Sequence, residues 1–499
     1  MRDEAAEARR VLVFLALAAA LVRLIPAGLI HLTEDEAYYR LWAQHLQFGY
    51  YDHPPMIAWW IWLGERICGD TALGARLLPS LASGASTWFV GDLALRLGRR
   101  RADAVRAAVW YNATLTVALG GFLATPDAPA SLFWILTLWC LAPGRADSTR
   151  WWAAAGLAAG LGAISKYSDL FLAPGLLAWV LTSREGRGRL LRPGPWLATA
   201  IAATICLPNV VWNAQHGWIT FAKQYGRVEA SGLRLDYLPE LLLTQFFLVN
   251  PVIAIWLGRA GVRQAAALRR GEADDGLRLP LVTAAPFLAY LVLHSLHDRV
   301  QGHWPAPVYG ALAICAAAEA GGAGGRWGRV SRRLAPGLAA ALAGFVFIHL
   351  AMPGVGALGV SDPAVALSGW PRFATEVEQA RVSSGAGWVG TLSYGLAAQL
   401  EDERKSAAPI LQVNERLRYR GFAAPPPGLA GPGLLIDLDR RVDPADLSRC
   451  FGVVQPVGEL ERGYRQGPLI RYAMFRVAQP RRDLWSDGCH MRNEVVPHF

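Results

Sequence analysis

Charged residues are scarce in this chain of 499 residues. Asp, Glu, Lys and Arg together make up 18% of it, while hydrophobic residues make up 53%. Soluble domains carry about 25% charged residues, and the mean hydropathy here is positive, at +0.24. The composition argues against a soluble enzyme with a single anchor and predicts a polytopic α-helical membrane protein.

Acidic residues are outnumbered by basic ones, which gives a formal net charge of +10 that comes almost entirely from Arg. The Arg clusters lie between apolar segments and do not form a patch on one soluble face. This pattern fits the excess of basic residues in cytoplasmic loops better than it fits a nucleic-acid-binding surface. We therefore expect no nucleic-acid partner.

Phosphate-binding signatures are weak: no Gly-x-Gly-x-x-Gly sequence directly precedes a predicted helix, and there is no Walker sequence. These absences argue against a soluble nucleotide donor. The acid-x-acid sequence Asp437-Leu438-Asp439 resembles the metal motif of soluble nucleotide-sugar transferases, but it is short. The end of a strand is the better explanation for it.

Cysteine is also sparse, with six residues in the chain. Cys450 and Cys489 lie in the polar C-terminal region, where they could form a disulfide if that region is outside the cytoplasm. The sequence leaves this pairing open. The other four lie in or beside apolar segments without metal-type spacing and are predicted to pack as small hydrophobes: Cys68, Cys140, Cys206 and Cys315.

Apolar segments recur along the first 355 residues and predict about eleven transmembrane helices, each near the ~20 residues that a span requires. With the N-terminus inside, the inner loops carry about 23 Lys and Arg and the outer loops about 8. This bias places the loop 31–78 and the C-terminal tail on the outer side. The predicted spans are 11–30, 79–97, 104–121, 130–141, 151–164, 170–181, 196–211, 241–257, 279–293, one that begins at His303, and 334–352.

Two domains are predicted. Residues 1–355 form a transmembrane catalytic domain with a periplasmic loop at 31–78, and residues 356–499 form a small periplasmic α/β domain. The helices of the α/β domain are predicted at Trp370–Val382 and Tyr394–Arg404, and its strands at Trp388–Leu392, Pro409–Val413, Leu434–Leu438 and Leu469–Val477. The loop itself is predicted to contain interfacial helices at Glu36–Gln47 and Met56–Ile67.

Carboxylates and cations recur on the predicted outer side. Acids near the bilayer are costly unless they face water or do chemistry. A carboxylate base facing cations suits a reaction in which a hydroxyl loses a proton and a phosphate leaves. Arg23, near the outer end of the first span, either extends to the interface or binds an anionic group. The other candidates are Glu34, Asp35, Glu36, Asp52, His53, Asp127, Lys166, Tyr167, His297, Arg299 and His303.

Several short motifs in this order resemble the family 39 glycosyltransferases of the GT-C fold. This group contains the protein O-mannosyltransferases and, close by, the aminoarabinose transferases of lipid A. The resemblance runs from about residue 20 to 320. It rests on Asp35-Glu36, Asp52-His53-Pro54-Pro55, Thr125-Pro126-Asp127-Ala128-Pro129, Ser165-Lys166-Tyr167, Pro208-Asn209-Val210-Val211-Trp212-Asn213 and His303-Trp304-Pro305-Ala306-Pro307.

The resemblance implies a polyprenyl-phosphate sugar donor and inversion at the anomeric carbon. Asp35 would be the general base with Glu36 beside it, and Asp127 a second catalytic acid. Asp35 and Asp127 would also be the ligands of a divalent cation, Mg²⁺ or Mn²⁺. His53 replaces the Lys that precedes Pro-Pro in the aminoarabinose transferases, which leaves the donor open. By the resemblance, Lys166, His53 and His303 would face the donor phosphate. All the residues that we predict to bind substrate are Arg23, Tyr39, Arg40, Asp52, His53, Lys166, Tyr167, His297, Arg299 and His303.

We therefore expect an enzyme of the bacterial inner membrane that moves one sugar to an envelope acceptor on the periplasmic face. Lipid A, lipopolysaccharide or another glycolipid is the expected acceptor. Two alternatives stay open: a protein O-mannosyltransferase-like enzyme, and a transporter or flippase of a lipid-linked sugar. Transporters often contain paired repeats, and the sequence shows no internal repeat.

Overall fold

The computed structural model describes residues 2–226, 232–270, 274–352, 362–405, 407–419, 421–422, 429, 431–463, 469–485 and 488–489. The chain forms two compact units. The first comprises Met1–Gly28 and Gln47–Val346, and the second comprises Leu29–Leu46 and Phe347–Phe499. The predicted domain boundary at 355 lies outside the described residues. Residues 31–46, predicted to be part of a loop of the membrane domain, pack within the second unit.

Helices make up the regular structure described in the first unit. Most of them match predicted apolar segments, because an apolar run of this length without charges favours a helix whose backbone bonds are all internal. Short 3₁₀ helices occur at Tyr167–Phe171 and Ala306–Val308. The helices, with α2 belonging to the second unit, are α1 Arg2–Leu29, α2 Glu34–Gln44, α3 Met56–Cys68, α4 Ala72–Arg96, α5 Arg101–Ala113, α6 Leu115–Gly120, α7 Asp127–Cys140, α8 Thr149–Ala163, α9 Leu172–Leu181, α10 Arg184–Arg189, α11 Pro193–Gln215, α12 Ile219–Gly226, α13 Tyr237–Leu248, α14 Pro251–Arg270, α15 Asp275–His294, α16 Tyr309–Gly322 and α17 Gly325–Ala351.

Four helical segments in the described part of the chain are long and apolar enough to cross a membrane. They are Ala5–Leu29, Pro193–Gln215, Gly276–His294 and Gly325–Ala351. The bent pair α13 and α14 would make a fifth. Several other predicted spans are helices well under the ~20 residues that cross the hydrocarbon core. The number eleven therefore stays a prediction.

The predicted span at 241–257 is not one straight helix, because α13 and α14 meet at an angle of 113°. Asn250, at the break, has φ of 79°, a conformation that Asn tolerates better than most residues. Pro251 then begins α14, where a missing N–H costs nothing. The Asn250 side chain donates to the carbonyls of Ala113 and Ala335 at 3.2 and 2.9 Å, which stabilises the bend.

The second unit contains a five-stranded sheet in the order β2-β1-β3-β5-β4. Strand β1 pairs in parallel with β2 and β3, while β5 is antiparallel to both β3 and β4. The strands are β1 Trp388–Thr391, β2 Ile410–Gln412, β3 Gly433–Leu438, β4 Phe451–Arg462 and β5 Ile470–Pro480, and the helices are α18 Pro363–Ala366, α19 Trp370–Ser383, α20 Tyr394–Asp402 and α21 Pro444–Cys450, with 3₁₀ turns at Arg416–Tyr419 and Asp439–Arg441.

The two helices and four strands predicted for this region are confirmed within a few residues at their ends. Strand β4 and helix α21 were missed. β4 is a largely exposed edge strand, so its sequence lacks the alternation of apolar and polar residues that marks a half-buried strand. The core beneath α19 and α20 includes Trp370, Phe373 and Leu434, all of them buried.

Cys450 and Cys489 form a disulfide, which settles the pairing that the sequence left open. The bond joins the end of α21 to the segment after β5, across 39 residues of chain. The four other cysteines are free thiols, as predicted. Closing a loop of this length restricts the unfolded chain, which is the main way in which a disulfide stabilises a fold.

We expect Cys450→Ala to lower the unfolding free energy of the second unit by about 2–4 kcal/mol. Limited proteolysis of the purified protein across a temperature series measures this, by the loss of fragments from residues 362–485. Cys206→Ala, which removes a free thiol of the first unit, is the matched control. Equal protease resistance in the two variants would contradict the prediction.

Candidate active site

The acidic stretch after α1 begins helix α2 of the second unit. Thr33 and Glu36 form a capping box: the Glu36 carboxylate accepts from Thr33 N at 3.0 Å, and Thr33 Oγ1 accepts from Glu36 N at 3.2 Å. Reciprocal bonds of this kind satisfy backbone donors that have no partner within the helix. Glu36 is fully buried, so its placement supports a structural role and not the predicted catalytic one.

Asp35 is the exposed member of the three acids. Its Oδ1 accepts a hydrogen bond of 2.9 Å from the hydroxyl of Tyr394. Glu34 is half-buried, and desolvation by burial raises the pKa of its carboxyl, with Arg462 acting in the opposite direction. Among the three acids, Asp35 is therefore the carboxylate best placed to meet a substrate.

Tyr39 and Arg40 are packed inside the second unit. The Tyr39 ring lies 4.8 Å from the ring of Trp42, and its side chain is 6% exposed. Arg40 forms an ion pair with Asp402 at the end of α20. These contacts give both residues a role in holding α2, and they do not favour the predicted binding of substrate.

In the first unit, Asp127 lies between two cationic or ring-bearing side chains. Lys166 Nζ contacts Asp127 Oδ1 at 2.6 Å, and His303 Nε2 lies 3.8 Å from Oδ2. Asp127 is the first residue of α7, where a carboxylate also interacts favourably with the helix dipole. The structure thus brings together three predicted site residues that are far apart in sequence.

The Asp52-His53-Pro54-Pro55 turn belongs to the same unit. Met56, directly after it, donates its N–H to the carbonyl of Ile164 at 3.1 Å, which ties the turn to the segment that carries Lys166. Asp52 Oδ1 pairs with Lys223 Nζ at 3.1 Å. Lys223 also lies over the ring of Tyr51, 4.4 Å from its centre.

Lys223 was not among the predicted site residues, although the composition contained a signal. Of 49 basic residues only three are Lys: Lys166, Lys223 and Lys405. Two of the three lie in this part of the first unit, paired with Asp127 and Asp52. Lys presents a compact charge that suits a phosphate. The presence of two of the three Lys residues here therefore indicates a site that the motifs alone did not show.

Tyr167 is held by the Pro208–Asn213 motif. Its hydroxyl donates to Asn209 Oδ1 at 2.8 Å, and Asn209 Nδ2 donates in turn to the carbonyl of Phe48 at 2.7 Å. Trp212 Nε1 donates to Gln47 Oε1 at 2.9 Å. This motif therefore connects α11 to the chain before Asp52 and to the segment after Lys166.

Arg23, His297 and Arg299 contact other parts of the first unit. Arg23 is buried and donates to the carbonyls of Ala19 and Val117 at 2.9 and 3.0 Å. This burial fits neither an interfacial side chain nor one that is open to an anion. Arg299 pairs with Glu240, and the exposed His297 lies 3.2 Å from the carbonyl of Gly232.

The fit of a divalent cation is poor at the predicted ligand Asp127, because its oxygens face Lys166 and His303. Within the described residues, the three-residue group with suitable ligand spacing is His31, Asp402 and Glu403, whose ligand atoms lie within 4.8 Å of one another. Arg40 already pairs with Asp402 there, and Lys405 with Glu403. Neither place offers the open set of oxygen ligands that Mg²⁺ prefers.

The profile of the dolichyl-phosphate-mannose-protein mannosyltransferase family matches residues 52–212. The lipid A galacturonosyltransferase RgtD of Rhizobium johnstonii is 28% identical over 56% of this chain and 59% of its own length. The undecaprenyl phosphate-alpha-4-amino-4-deoxy-L-arabinose arabinosyl transferase 2 of Pseudomonas fluorescens is 31% identical over 34% of this chain and 31% of its own. The chain thus spans less than two thirds of either relative.

The crystal structure of ArnT from Cupriavidus metallidurans bound to undecaprenyl phosphate matches 93% of this chain and 97% of its own, with a TM-score of 0.60 and 15% identity. At that identity the match shows the fold alone. The chain therefore has the GT-C fold, mostly helical with a small sheet, as the motifs predicted. Together with its apolar helices, the match identifies a multi-pass membrane protein.

We expect Lys166→Met to lower thermal stability strongly, because the Asp127 carboxylate is largely buried and the substitution removes the Lys that pairs with it. Breaking a buried pair costs about 3–5 kcal/mol. The double variant Lys166→Met/Asp127→Asn should recover part of that loss, since it removes the unpaired charge as well. Thermal unfolding of the detergent-purified variants measures this, and a double variant no more stable than Lys166→Met would contradict it.

Proposed function

Because the comparisons confirm the resemblance to the family 39 glycosyltransferases of the GT-C fold, we propose that this chain is an inverting glycosyltransferase. It moves one sugar from a polyprenyl-phosphate donor to lipid A, lipopolysaccharide or another envelope glycolipid. The relatives support this choice, since they include a lipid A galacturonosyltransferase and an undecaprenyl-phosphate aminoarabinose transferase. The observation that carries the proposal is the exposed carboxylate of Asp35 beside the half-buried Glu34 and the buried Glu36.

In the proposed reaction Asp35 acts as the general base. It takes the proton of an acceptor hydroxyl while the hydroxyl oxygen forms a bond to the anomeric carbon. The bond between that carbon and the phosphate oxygen breaks at the same time. Its electron pair leaves with the polyprenyl phosphate, and inversion follows because the two oxygens lie on opposite faces of the sugar. A base within hydrogen-bond reach of the hydroxyl supplies typically 10²–10⁴-fold of rate.

Lys166, Lys223, His53 and His303 are the proposed contacts of the donor phosphate. Charge developing on a leaving phosphate is stabilised most effectively by donors that are fixed before the reaction. Asp127 fixes Lys166 by their 2.6 Å contact, and Asp52 fixes Lys223 at 3.1 Å. The two carboxylates thus act by orienting the cations. Arg23, His297 and Arg299 stay predictions as further substrate contacts.

We place the enzyme in the bacterial inner membrane with about eleven spans, and its second unit in the periplasm. The loop-charge bias supports this orientation. The disulfide between Cys450 and Cys489 supports it independently, because such bonds persist in the periplasm and are rare in the cytosol.

A protein acceptor is the second candidate, since the matching family profile is named for a protein mannosyltransferase. A transporter or flippase of a lipid-linked sugar would move the donor without breaking a bond. The divalent cation stays a prediction that EDTA, with and without added Mg²⁺ or Mn²⁺, would test. No step of the proposed reaction depends on it.

We expect Asp35→Asn to abolish transfer, because the amide cannot accept the proton of the acceptor. Mass spectrometry of the envelope lipids and of the polyprenyl-phosphate sugars, from cells with the wild type, the variant or no enzyme, measures the outcome. A sugar-sized mass should be missing from a glycolipid in both defective strains, with the donor accumulating. The mass difference also identifies the sugar.

Asp70→Asn, an exposed acid in the first unit, is the matched control and should leave the glycolipid unchanged. Loss of a sugar from a protein, with normal glycolipids, would favour the protein acceptor. Wild-type products from Asp35→Asn would contradict the transferase and favour the transporter.

Lys223→Met should raise the KM for the polyprenyl-phosphate donor by about 10- to 100-fold, the value of one charge-assisted hydrogen bond. Assays of the purified enzyme over a range of donor concentrations measure it. Lys405→Met is the matched control, since this exposed Lys pairs with Glu403 in the second unit and lies outside the proposed phosphate contacts. An unchanged KM in Lys223→Met would remove this residue from the proposed site.

A further inference from the structure

Helix α20 of the second unit contacts the segment that carries Asp35 at several points. Besides the bond from Tyr394 to Asp35, Gln399 Nε2 donates to the carbonyl of Leu32 at 2.8 Å. Asp402, in the last turn, pairs with Arg40, and Glu403 accepts from His31 Nε2 at 2.9 Å. Helix α20 and the residue after it therefore contact residues 31–40 at these four points.

The start of α20 lies against the start of α2 with no space to spare. A Cβ added at Gly395 would lie 2.3 Å from Glu34 Oε2 and 2.9 Å from Glu34 Cβ. Only a residue without a side chain allows this approach. The Gly beside Tyr394 therefore brings the Tyr394 hydroxyl within reach of Asp35, the residue after Glu34.

The sheet fixes where α20 begins. Asp437, near the end of β3, is fully buried and accepts from the backbone N–H groups of Leu392 and Ser393, both at 2.8 Å. Gln412 Nε2, in β2, donates to the carbonyl of Leu392 at 2.9 Å. These bonds hold the turn between β1 and α20. They also explain Asp437 without a metal ion, in agreement with the strand-end interpretation of Asp437-Leu438-Asp439.

Two neighbouring side chains contact the ring of Tyr394. The Arg418 guanidinium lies 4.1 Å from the ring centre, and the ring of Tyr38 lies 4.9 Å away. Arg418 in turn pairs with Glu415 at 3.0 Å. Contacts on both the ring and the backbone hold Tyr394 in the position that brings its hydroxyl to Asp35.

We propose that the second unit is a scaffold that orients the Asp35 carboxylate. Tyr394 is the positioning residue through which this scaffold acts. The proposal rests on the proposed role of Asp35 as the base. A hydroxyl that donates to a carboxylate favours its ionised form, which is the form a general base needs. Tyr394 keeps its own proton throughout, and the proton of the acceptor goes to Asp35.

Tyr394→Phe tests this role, because it removes the hydroxyl and keeps the ring over which Arg418 lies. We expect kcat to fall by about tenfold while the KM for the donor is unchanged. The acidic limb of the pH profile of kcat/KM should move to higher pH, by about one unit, since Asp35 loses a bond that stabilises its charge. A merely structural Tyr would change the amount of folded enzyme and not the position of that limb.

Tyr38→Phe is the matched control. Tyr38 lies on the same helix as Asp35, and its hydroxyl donates to the carbonyl of Arg418 at 3.4 Å. The variant therefore removes a neighbouring hydroxyl and keeps the ring that packs against Tyr394. Its pH profile should match the wild type. Gly395→Ala is a second variant, in which the added methyl group displaces Glu34. It should lower kcat without a change in the KM for the donor, even if Tyr394→Phe proves unstable.

The outcomes separate this inference from the proposed function. An inactive Asp35→Asn together with a wild-type pH profile in Tyr394→Phe would overturn the role of Tyr394 and leave the transferase standing. An unchanged kcat in Gly395→Ala would overturn the scaffold in the same way. An active Asp35→Asn would overturn the proposed function itself.

Discussion

Charge that lies out of reach of water must be paired within the chain, and both units are arranged around this constraint. Removing one partner of a buried pair costs several kcal/mol, so each pair fixes the elements that carry it. Asp127 and Lys166 join the start of α7 to the segment after α8. Arg40 and Asp402 join α2 to α20 in the second unit. The residues proposed for chemistry are held in place by these pairs.

The same constraint separates the acids by role. Glu36 is buried and its carboxylate serves the capping box, while Asp35, one residue earlier, is exposed. A helix turns by 100° per residue, so neighbouring side chains on α2 meet different surroundings. Asp437 gives a further example: a buried carboxylate that accepts two backbone N–H groups and thereby sets the start of α20.

Much of the fold could be predicted because it depends on local patterns. Long apolar runs indicated most helices of the first unit, and short apolar runs indicated strands β1, β2, β3 and β5. The prediction failed at the exposed strand β4 and at Asn250, where a left-handed residue breaks a continuous apolar run. Nothing in hydropathy distinguishes Asn250 from other polar residues within a span. Its bend is stabilised by carbonyls of Ala113 and Ala335, far away in sequence.

The sequence by itself determined the class of fold: apolar length and basic loops indicate a membrane protein, and the ordered motifs indicate the GT-C fold. It also singled out Asp35, Asp127, Lys166 and His303, because acids and cations at the ends of apolar segments are costly without a function. Only the tertiary structure decided their partners. Lys223 beside Asp52, and Tyr394 beside Asp35, come from segments 171 and 359 residues away. Hydrogen bonds and ion pairs act over a few ångströms in space, and no local pattern in the chain records which distant segments meet.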